Sequence, residues 1–248
     1  MSVALKRIIF FSVILIFWQV GSGLLWEKIL LPPPSDVFVA LYQGFADKTL
    51  LYDLIASFRR LVIGLSIALL IGTGLGILLA KSKTADDTLG TIVLALQSVP
   101  SIVWLPLAML WIGFNESAII FIVVLGGTLV MTLNMRAGIS NVSPIYIRAA
   151  QTMGVTGIAL FFRVMLPAST PYVVTGARLA WAFSWRALMA GELLSTGPGL
   201  GYTLRYAADF NRMAVVIGVI IIIGVIGSIM DQLIFQRIEN SVKQRWGL

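Results

Sequence analysis

Long apolar stretches alternate with short polar segments along most of this chain, and the alternation predicts a protein that lies in a membrane. An α-helix needs about 20 apolar residues to cross a bilayer. Six stretches have roughly that length, and they lie at Ile8–Trp26, Leu61–Ala80, Leu89–Ile112, Ser117–Met135, Ala168–Leu194 and Met213–Met230. We therefore expect an all-α membrane protein with six transmembrane helices, the first of which is a retained anchor rather than a cleaved signal peptide.

The composition supports a membrane protein and narrows its chemistry. Hydrophobic residues make up 58% of the 248 residues and charged residues only 12%, whereas a soluble domain carries about 25% charged residues. The mean hydropathy is +0.95. The sequence contains no cysteine and no histidine, so it lacks the commonest general base and the commonest metal ligand. Metal-dependent and acid–base catalysis are therefore not expected.

The basic residues predict how the chain is oriented. The net charge is +7, but these residues lie largely in short loops between apolar stretches, where they act as topology signals rather than as a nucleic-acid surface. With six spans, both termini lie on one side of the membrane. The cytoplasmic side would then hold four basic clusters, Lys6/Arg7, Lys81/Lys83, Arg136/Arg148/Arg163 and Arg237/Lys243/Arg245. We expect both termini to be cytoplasmic.

Three of the apolar stretches have features that bear on packing. Pro100 and Pro106 lie in the third stretch and predict a kinked helix inside a bundle, because proline breaks the backbone ladder. Glycines in the second and fourth stretches would allow a neighbouring helix to approach closely, although glycine is also simply common in membrane helices. These glycines are Gly72, Gly74 and Gly76 in the second stretch and Gly126 and Gly127 in the fourth. After the first stretch, a proline-rich turn precedes residues 37–54, which we expect to form a helix outside the membrane.

One segment, residues 143–167, is too short and too charged to span a membrane and has helix signals of its own. Ser143 and Pro144 suit an N-cap and a first helical turn. They predict a helix that runs to about Met153. Gly154 suits the left-handed backbone position that ends such a helix.

A second short helix is expected directly after this glycine. Thr156 would cap it and Pro167 would end it. Helix, glycine hinge, helix and Leu-Pro together are compatible with two interpretations. The segment is either a compact knob that a partner protein contacts or an amphipathic loop that rests on the lipid surface.

The segment resembles the EAA loop in the membrane subunits of binding-protein-dependent ABC importers. That loop reads Glu-Ala-Ala, three residues, Gly, nine residues, an aliphatic residue, one residue and Leu-Pro. Similarity covers most of residues 31–202 and indicates the subgroup that handles nitrate, sulfonates, taurine, bicarbonate or pyrimidine precursors. The residues that match the loop are Ala149, Ala150, Gly154, Val164, Leu166 and Pro167.

The resemblance implies a type I ABC importer permease fold with cytoplasmic coupling helices, in a single permease domain over residues 1–248. The coupling loop would lie at about residues 144–167. The implied partners are two ATPase subunits that bind ATP and Mg, a second permease copy and an extracytoplasmic binding protein. The chain itself would bind no cofactor and would work in a bacterial inner membrane. The substrate would be a small, anionic or heterocyclic solute.

One residue departs from the family pattern. Arg148 stands where the EAA loop has glutamate, so the charge of that position is reversed. The Ala-Ala-Gly shape is unaffected. The resemblance implies that the usual polar contact with the ATPase is altered and that this ATPase carries a compensating acidic residue.

Two other classes of function are less favoured by the residues. An ion-coupled secondary transporter would need carboxylates at membrane depth, and a membrane-bound enzyme would need a metal or acid–base cluster. The spans contain few carboxylates, and Asp86 and Asp87 are expected to be solvated at the end of a span. The chain also lacks the G-x-x-x-x-G-K-[ST] phosphate loop, so ATP hydrolysis would have to occur in another chain.

Ionisable residues in the fifth stretch are candidates for the translocation path. Arg178 and Arg186 are eight residues apart and share a broad helix face. They either attract an anionic substrate or pair with Glu192, another acid or backbone carbonyls and stabilise the bundle. Trp185 and Glu192 complete the candidate set. The glycine-rich loop at residues 195–202 is either a flexible outer rim or a plain turn.

Overall fold

The computed structural model describes residues 3–24 and 30–246, and the described chain is helical except at short connections. Trp26, where the first predicted span ends, lies outside the described residues. The helices in chain order are α1 (Val3–Leu24), α2 (Pro34–Ala46), α3 (Thr49–Lys81), α4 (Lys83–Gln97), α5 (Ser101–Ile112), α6 (Glu116–Ser140), α7 (Pro144–Thr152), α8 (Gly157–Ala168), α9 (Thr170–Leu193), α10 (Leu200–Asp209), α11 (Met213–Ile229) and α12 (Gln236–Trp246). A wide helical turn, Met230–Phe235, joins α11 to α12.

The predicted spans correspond to these helices. Within the described ranges, four helical segments are long and apolar enough to cross a membrane, namely most of α1, α3, α6 and the continuous helix that begins with α11. Two further pairs are bent, α4 with α5 by 95° and α8 with α9 by 61°. If each bent pair is one span, the total is the six spans that the hydrophobic pattern predicts. The all-α fold class is confirmed.

The bend between α4 and α5 lies at Pro100, one of the two prolines that predict a kink, whereas Pro106 lies within α5. Pro100 has an extended backbone, with φ −54° and ψ 132°.

 Pro33, which stands directly before α2, is extended in the same way, with φ −66° and ψ 155°. Each of the two prolines thus precedes the start of a helix. Val99 closes the last turn of the preceding helix by donating its N–H to the carbonyl of Leu96 at 3.2 Å. Because proline has no N–H to continue the ladder, the helix restarts in a new direction at Ser101. The predicted kink is therefore confirmed.

The start of α3 differs from the sequence prediction. The expected helix over residues 37–54 is wrong, because the chain turns at Asp47 and at Lys48, whose φ is +61°. A single helix then runs from Thr49 to Lys81, so it begins well before Leu61, the predicted start of the second span. The charged residues of its first half made this region look unlike a span.

Arg59 and Arg60 are the charges concerned, and both have a partner. Arg59 Nη2 lies 2.6 Å from Glu116 Oε2, and Arg60 Nε lies 3.0 Å from Glu116 Oε1. The carboxylate at the start of α6 thus holds both guanidinium groups. Because both arginines pair with this carboxylate, α3 can contain them directly before its apolar run.

The described chain divides into two compact units. The first comprises Met1–Ser57 with Glu192–Val225, and the second comprises Phe58–Gly191 with Ile226–Leu248. The core of the second unit is made by methionine, isoleucine, phenylalanine and alanine side chains of α6, α8 and α9. Its fully buried members are Met131, Met135, Ile139, Phe161 and Ala180.

Glycines let α3 and α6 pack backbone to backbone in the second unit. A Cβ at Gly72 would lie 2.7 Å from Met131 Cβ, and one at Gly76 would lie 2.5 Å from Met135 Cβ. Real Cβ atoms do not approach so closely, so only glycine fits at these two positions. At Gly74 nothing lies within 4 Å. The close contact that the glycine pattern predicts is therefore present at two of the three positions in the second stretch. In the fourth stretch, a Cβ at Gly127 would lie 2.9 Å from Ala68 Cβ, whereas one at Gly126 would meet no atom closer than 3.3 Å.

Candidate functional site

The segment at residues 143–168 folds as two short helices around a glycine turn. Pro144 lies in the first turn of α7, and Tyr146 donates its N–H to the Ser143 carbonyl at 3.1 Å. The Ser143 side chain makes no capping hydrogen bond, and neither does that of Thr156 before α8. The predicted positions of both caps are right, but the side chains do not carry out the capping.

The turn between the two helices has the geometry of a Schellman motif. Gly154 has φ +78° and donates its N–H to the Gln151 carbonyl at 3.0 Å. Val155 donates to the Ala150 carbonyl at 2.9 Å. These two bonds satisfy carbonyls that the end of α7 would otherwise leave free. Nothing lies within 4 Å of a Cβ built at Gly154, so the positive φ, not lack of space, calls for glycine there.

The second short helix, α8, ends at Ala168, one residue after Pro167, so its predicted end is right to within one residue. The break between α8 and the next helix falls at Ser169. The next helix, α9, begins at Thr170. The Leu-Pro pair thus lies at the 61° bend between α8 and α9.

One face of α7 packs inward, and the other carries exposed apolar side chains. Ala150 is buried, whereas Ile145 is 74% exposed and Met153 is 75% exposed. Ile158 in α8 is 76% exposed. Arg148 and Ala149 are exposed as well. Apolar side chains that are exposed on a rigid polar loop are typical of a surface that another protein covers.

The loop is attached to the second unit through the second of its two helices. Phe161 of α8 is buried, and the Lys81 ammonium lies 3.5 Å from the centroid of its ring. Val164 and Leu166 are half-buried, and Pro167 is exposed. Phe161 packs in the same cluster as Met131 and Met135 of α6. The second helix of the loop is therefore packed directly into the core around α6.

Asp86 is not the solvated charge that the sequence predicts. The Arg136 guanidinium of α6 pairs with it, and Nε lies 2.5 Å from Oδ1. A carboxylate in the helical segment after α3 is therefore tied to α6, and its residue is half-buried. Sequence spacing alone gives no signal for a pair that is 50 residues apart.

A cavity of about 420 Å³ in the second unit holds the charged residues of α9. Arg178 and Arg186 both line it, as do Trp181 and Trp185, whose rings stack with centroids 5.6 Å apart. Phe235 stacks on the other face of Trp181, also at 5.6 Å. One wall of the cavity is therefore aromatic.

Arg178 is held by two carboxylates of the C-terminal helical region. Its Nε and Nη2 each donate to Asp231 at 2.7 Å in a bidentate pair, and Nη1 donates to Glu239 at 2.7 Å. Glu239 also accepts from Thr175 Oγ1 at 3.0 Å and pairs with Lys243 at 2.7 Å. Two cations and two carboxylates give this network no net charge. The pairing interpretation of Arg178 matches this geometry, although the acids are Asp231 and Glu239 rather than Glu192.

The sequence reasoning did not identify the two acids of this network. Asp231 follows a long apolar run, and Glu239 is eight residues further on, about two helical turns away and so on the same broad face. That spacing equals the spacing of Arg178 and Arg186, and it is the signal that would have found them.

Arg186 has a different environment from Arg178. Its guanidinium lies 5.7 Å from the Phe183 ring centroid, and the residue is exposed. No carboxylate of the described residues pairs with it. A cation beside aromatic rings and without a carboxylate partner leaves the cavity with positive charge available at its margin.

Glu192 lies in the first unit and is fully buried. It accepts hydrogen bonds from Ser57 Oγ at 2.8 Å and from the Gly201 N–H at 3.0 Å. Asp53, one helical turn from Ser57, accepts from the Gly199 N–H at 3.0 Å. Two carboxylates thus bind the end of the glycine-rich loop after α9. Neither sequence interpretation of this loop, a flexible outer rim or a plain turn, includes such an anchor.

Glycine at position 199 is required by this contact. A Cβ there would lie 2.6 Å from the Glu192 carboxyl carbon, in a backbone with φ +159°. Ser57 Oγ also accepts the Leu200 N–H at 3.0 Å. Three successive N–H groups at the start of α10 therefore face side-chain oxygens, which satisfies donors that a helix N-terminus leaves free.

Helices of bilayer length, a cavity lined by charged and aromatic side chains, and an exposed apolar turn together define a multi-span membrane permease. The chain belongs to the family of binding-protein-dependent transport system inner membrane components, which matches residues 72–240. It is the membrane permease of an ABC importer and is not itself catalytic. A secondary transporter or a membrane-bound enzyme is not favoured.

Several permeases are similar to this chain over most of their length. A putative ABC transporter permease protein of Methanocaldococcus jannaschii is 32% identical over 222 residues, which cover 88% of this chain and 83% of that protein. The taurine transport system permease protein TauC of Escherichia coli is 32% identical, with 87% and 80% covered. The nitrate import permease protein NrtB of Synechocystis is 30% identical, with 90% and 84% covered.

Solved structures show the same fold. A chain of the MetNI methionine ABC transporter in an inward-facing conformation has a TM-score of 0.66 at 19% identity and covers 78% of this chain and 96% of its own length. A chain of an amino acid ABC transporter crystallised with histidines has a TM-score of 0.65 at 17% identity, with 83% and 97% covered. These likenesses establish the ABC importer permease fold.

Proposed function

We propose that residues 144–167 are the coupling loop through which an ATPase subunit drives this permease. The observation that carries the proposal is the exposed apolar face of α7 and α8, formed by Ile145, Met153 and Ile158 on a turn that the Gly154 motif holds rigid. Fully burying one such side chain contributes about 1.5–3 kcal/mol, so this face can supply much of a docking contact. Arg148 and Ala149 lie on the same exposed surface.

The loop is well placed to transmit a displacement into the helices. Phe161 packs against Met131 and Met135 of α6, and a Cβ at Gly138 of α6 would lie 2.7 Å from the Tyr172 Cβ of α9. Tightly packed interiors transmit strain rather than absorbing it. Closure of two ATPase subunits on ATP would then move α6 and α9 together, which switches the path between its inward- and outward-open states.

The complete importer in this proposal has two copies of the permease, two ATPase subunits and an extracytoplasmic binding protein. The ATPase subunits bind ATP and Mg, and this chain, a single permease domain over residues 1–248, binds no cofactor. The loop and both termini lie on the cytoplasmic side of a bacterial inner membrane. The basic clusters of the loop and of α12 support that orientation, since positive residues favour the cytoplasmic side.

The substrate in this proposal is a small anion or a zwitterion with an anionic group. Taurine and nitrate, which the names of two relatives give as their cargo, both fit that description. Arg178 is neutralised by Asp231 and Glu239, so Arg186 is the residue that we assign to attraction of the anion. The aromatic wall at Trp181 and Trp185 would exclude water around it.

Reconstitution tests the proposal. The permease is incorporated into vesicles with the ATPase that co-purifies with it and with its binding protein, and ATP turnover is measured with taurine, nitrate, bicarbonate and uncharged solutes. We expect substrate-stimulated turnover with an anion, and loss of ATPase retention in the double variant Ile145→Ser with Met153→Ser. Phe210→Ser, a change of the same kind outside the loop, is the control. Equal retention in the double variant and the control would contradict the coupling role.

A further inference from the structure

The coupling loop lies in a long stretch of the chain that contains no acidic residue. No aspartate or glutamate occurs between Glu116 and Glu192, while the loop contributes Arg148 and Arg163. Both arginines are exposed. Among the described residues, no ion pair involves either of them. The charges that the loop itself offers to a partner are therefore all positive.

Arg148 occupies the centre of the exposed face of α7. Ile145 is three residues before it and Thr152 four residues after it, so the three lie on one side of the helix. Ala150, on the opposite side, is buried. The helix begins at Pro144 and ends in the Gly154 motif, which fixes the direction in which this face points.

A partner that covers this face also removes water from the guanidinium of Arg148. Burying a charge is unfavourable unless an opposite charge and its hydrogen bonds replace the water. No acid among the described residues pairs with Arg148, so the partner has to supply it. A carboxylate is the best match, because the planar guanidinium donates two parallel hydrogen bonds to it.

We propose that the ATPase subunit of this importer presents an aspartate or glutamate to Arg148, in an acidic cleft whose apolar pockets receive Ile145 and Met153. This inference rests on the proposed coupling role of the loop. It adds that the charge of one residue selects the ATPase. A cleft with a basic residue at that point is excluded by repulsion, which gives specificity against the ATPase subunits of other importers.

Co-purification with charge-reversal variants is the first test. The tagged permease is co-expressed with its ATPase, and the amount of ATPase retained per permease is measured at moderate salt. We expect Arg148→Glu to reduce retention by about tenfold or more, as loss of a close interfacial charge pair does. Arg163→Glu changes the net charge equally but lies in α8 and is the matched control, for which we expect a change of about twofold or less.

The outcomes separate this inference from the coupling role. If Arg148→Glu retains the ATPase while Ile145→Ser with Met153→Ser loses it, the docking face stands and the carboxylate proposal is overturned. If both arginine variants lose it equally, a diffuse charge effect replaces the specific pair and the proposal is again overturned. The melting temperature of each permease variant alone, expected to be unchanged, excludes misfolding as the cause.

Chemical cross-linking identifies the acid directly. Arg148→Lys keeps the positive charge and provides an amine, which a water-soluble carbodiimide joins to a carboxylate in contact with it. We expect a cross-linked peptide between position 148 and an ATPase aspartate or glutamate, and none from Arg163→Lys. Changing that acid to arginine in the ATPase should restore retention of the Arg148→Glu permease. Absence of the cross-link, or failure of the reversal, would overturn the proposal.

Discussion

Two glycines of α3, two residues apart, offer a matched pair of substitutions that tests the packing of α3 against α6. In Gly76→Ala the new Cβ would lie 2.5 Å from Met135 Cβ and 2.7 Å from the Thr132 carbonyl oxygen. Non-bonded carbon atoms prefer a separation of about 3.5–4.0 Å, so the helices have to separate by roughly 1 Å. One of the opposing atoms belongs to the backbone and cannot move aside by rotation.

The expected cost follows from overpacking. Insertion of a methyl group into a well-packed interior costs about 1–3 kcal/mol. In Gly74→Ala nothing lies within 4 Å of the new Cβ, and alanine favours a helix by about 1 kcal/mol relative to glycine. We therefore expect Gly76→Ala to be destabilised and Gly74→Ala to be unchanged or slightly stabilised.

Thermal unfolding in detergent, followed by tryptophan fluorescence, measures the difference. For a chain of this size, 1 kcal/mol corresponds to about 2–4 °C in Tm. The two variants should thus differ by several degrees, with Gly76→Ala the lower. Gly72→Ala, whose Cβ would lie 2.7 Å from Met131 Cβ, should resemble Gly76→Ala. Equal melting temperatures for Gly74→Ala and Gly76→Ala would refute the close approach of α3 and α6.

Three further predictions concern the charged residues. In a double-mutant cycle of Arg178→Gln and Asp231→Asn, we expect a coupling of about 1–3 kcal/mol in thermal unfolding, and a value near zero would mean that the pair contributes nothing. Glu192→Leu leaves the Ser57 hydroxyl and the Gly201 N–H without this acceptor, so hydrogen exchange at residues 199–201 should become faster, and unchanged rates would contradict the anchoring role. Arg186→Ala should reduce uptake by reconstituted vesicles while the complex assembles normally, whereas normal uptake would remove Arg186 from the path.

Local signals allowed the fold of residues 143–168 to be predicted in detail. The positions of α7 and of the Gly154 turn depend on residues within one helical turn, and these are correct. The predicted end of the second helix at Pro167 is right to within one residue, since α8 ends at Ala168. The 61° bend by which the chain continues into α9 was not predicted, because the angle depends on the packing of the neighbouring helices.

Pairings between distant residues could not be predicted. Arg59 interrupts the hydrophobic pattern and displaced the expected start of the second span to Leu61, yet its guanidinium pairs with Glu116. Asp86 read as solvated for the same reason, since Arg136 is far away in sequence. A charge is costly in a span only when it is unpaired, and pairing depends on the fold.

The 95° bend at Pro100 has a consequence for how this permease can be studied. If α4 and α5 form one span, the bend places free main-chain carbonyl and amide dipoles inside the bilayer, where protein or a water-filled passage has to solvate them. Those dipoles belong to every amino acid alike. Alanine scanning of this span would leave these dipoles intact. If they guide the solute, substitution of side chains along the span would not change transport, although the solute passes there.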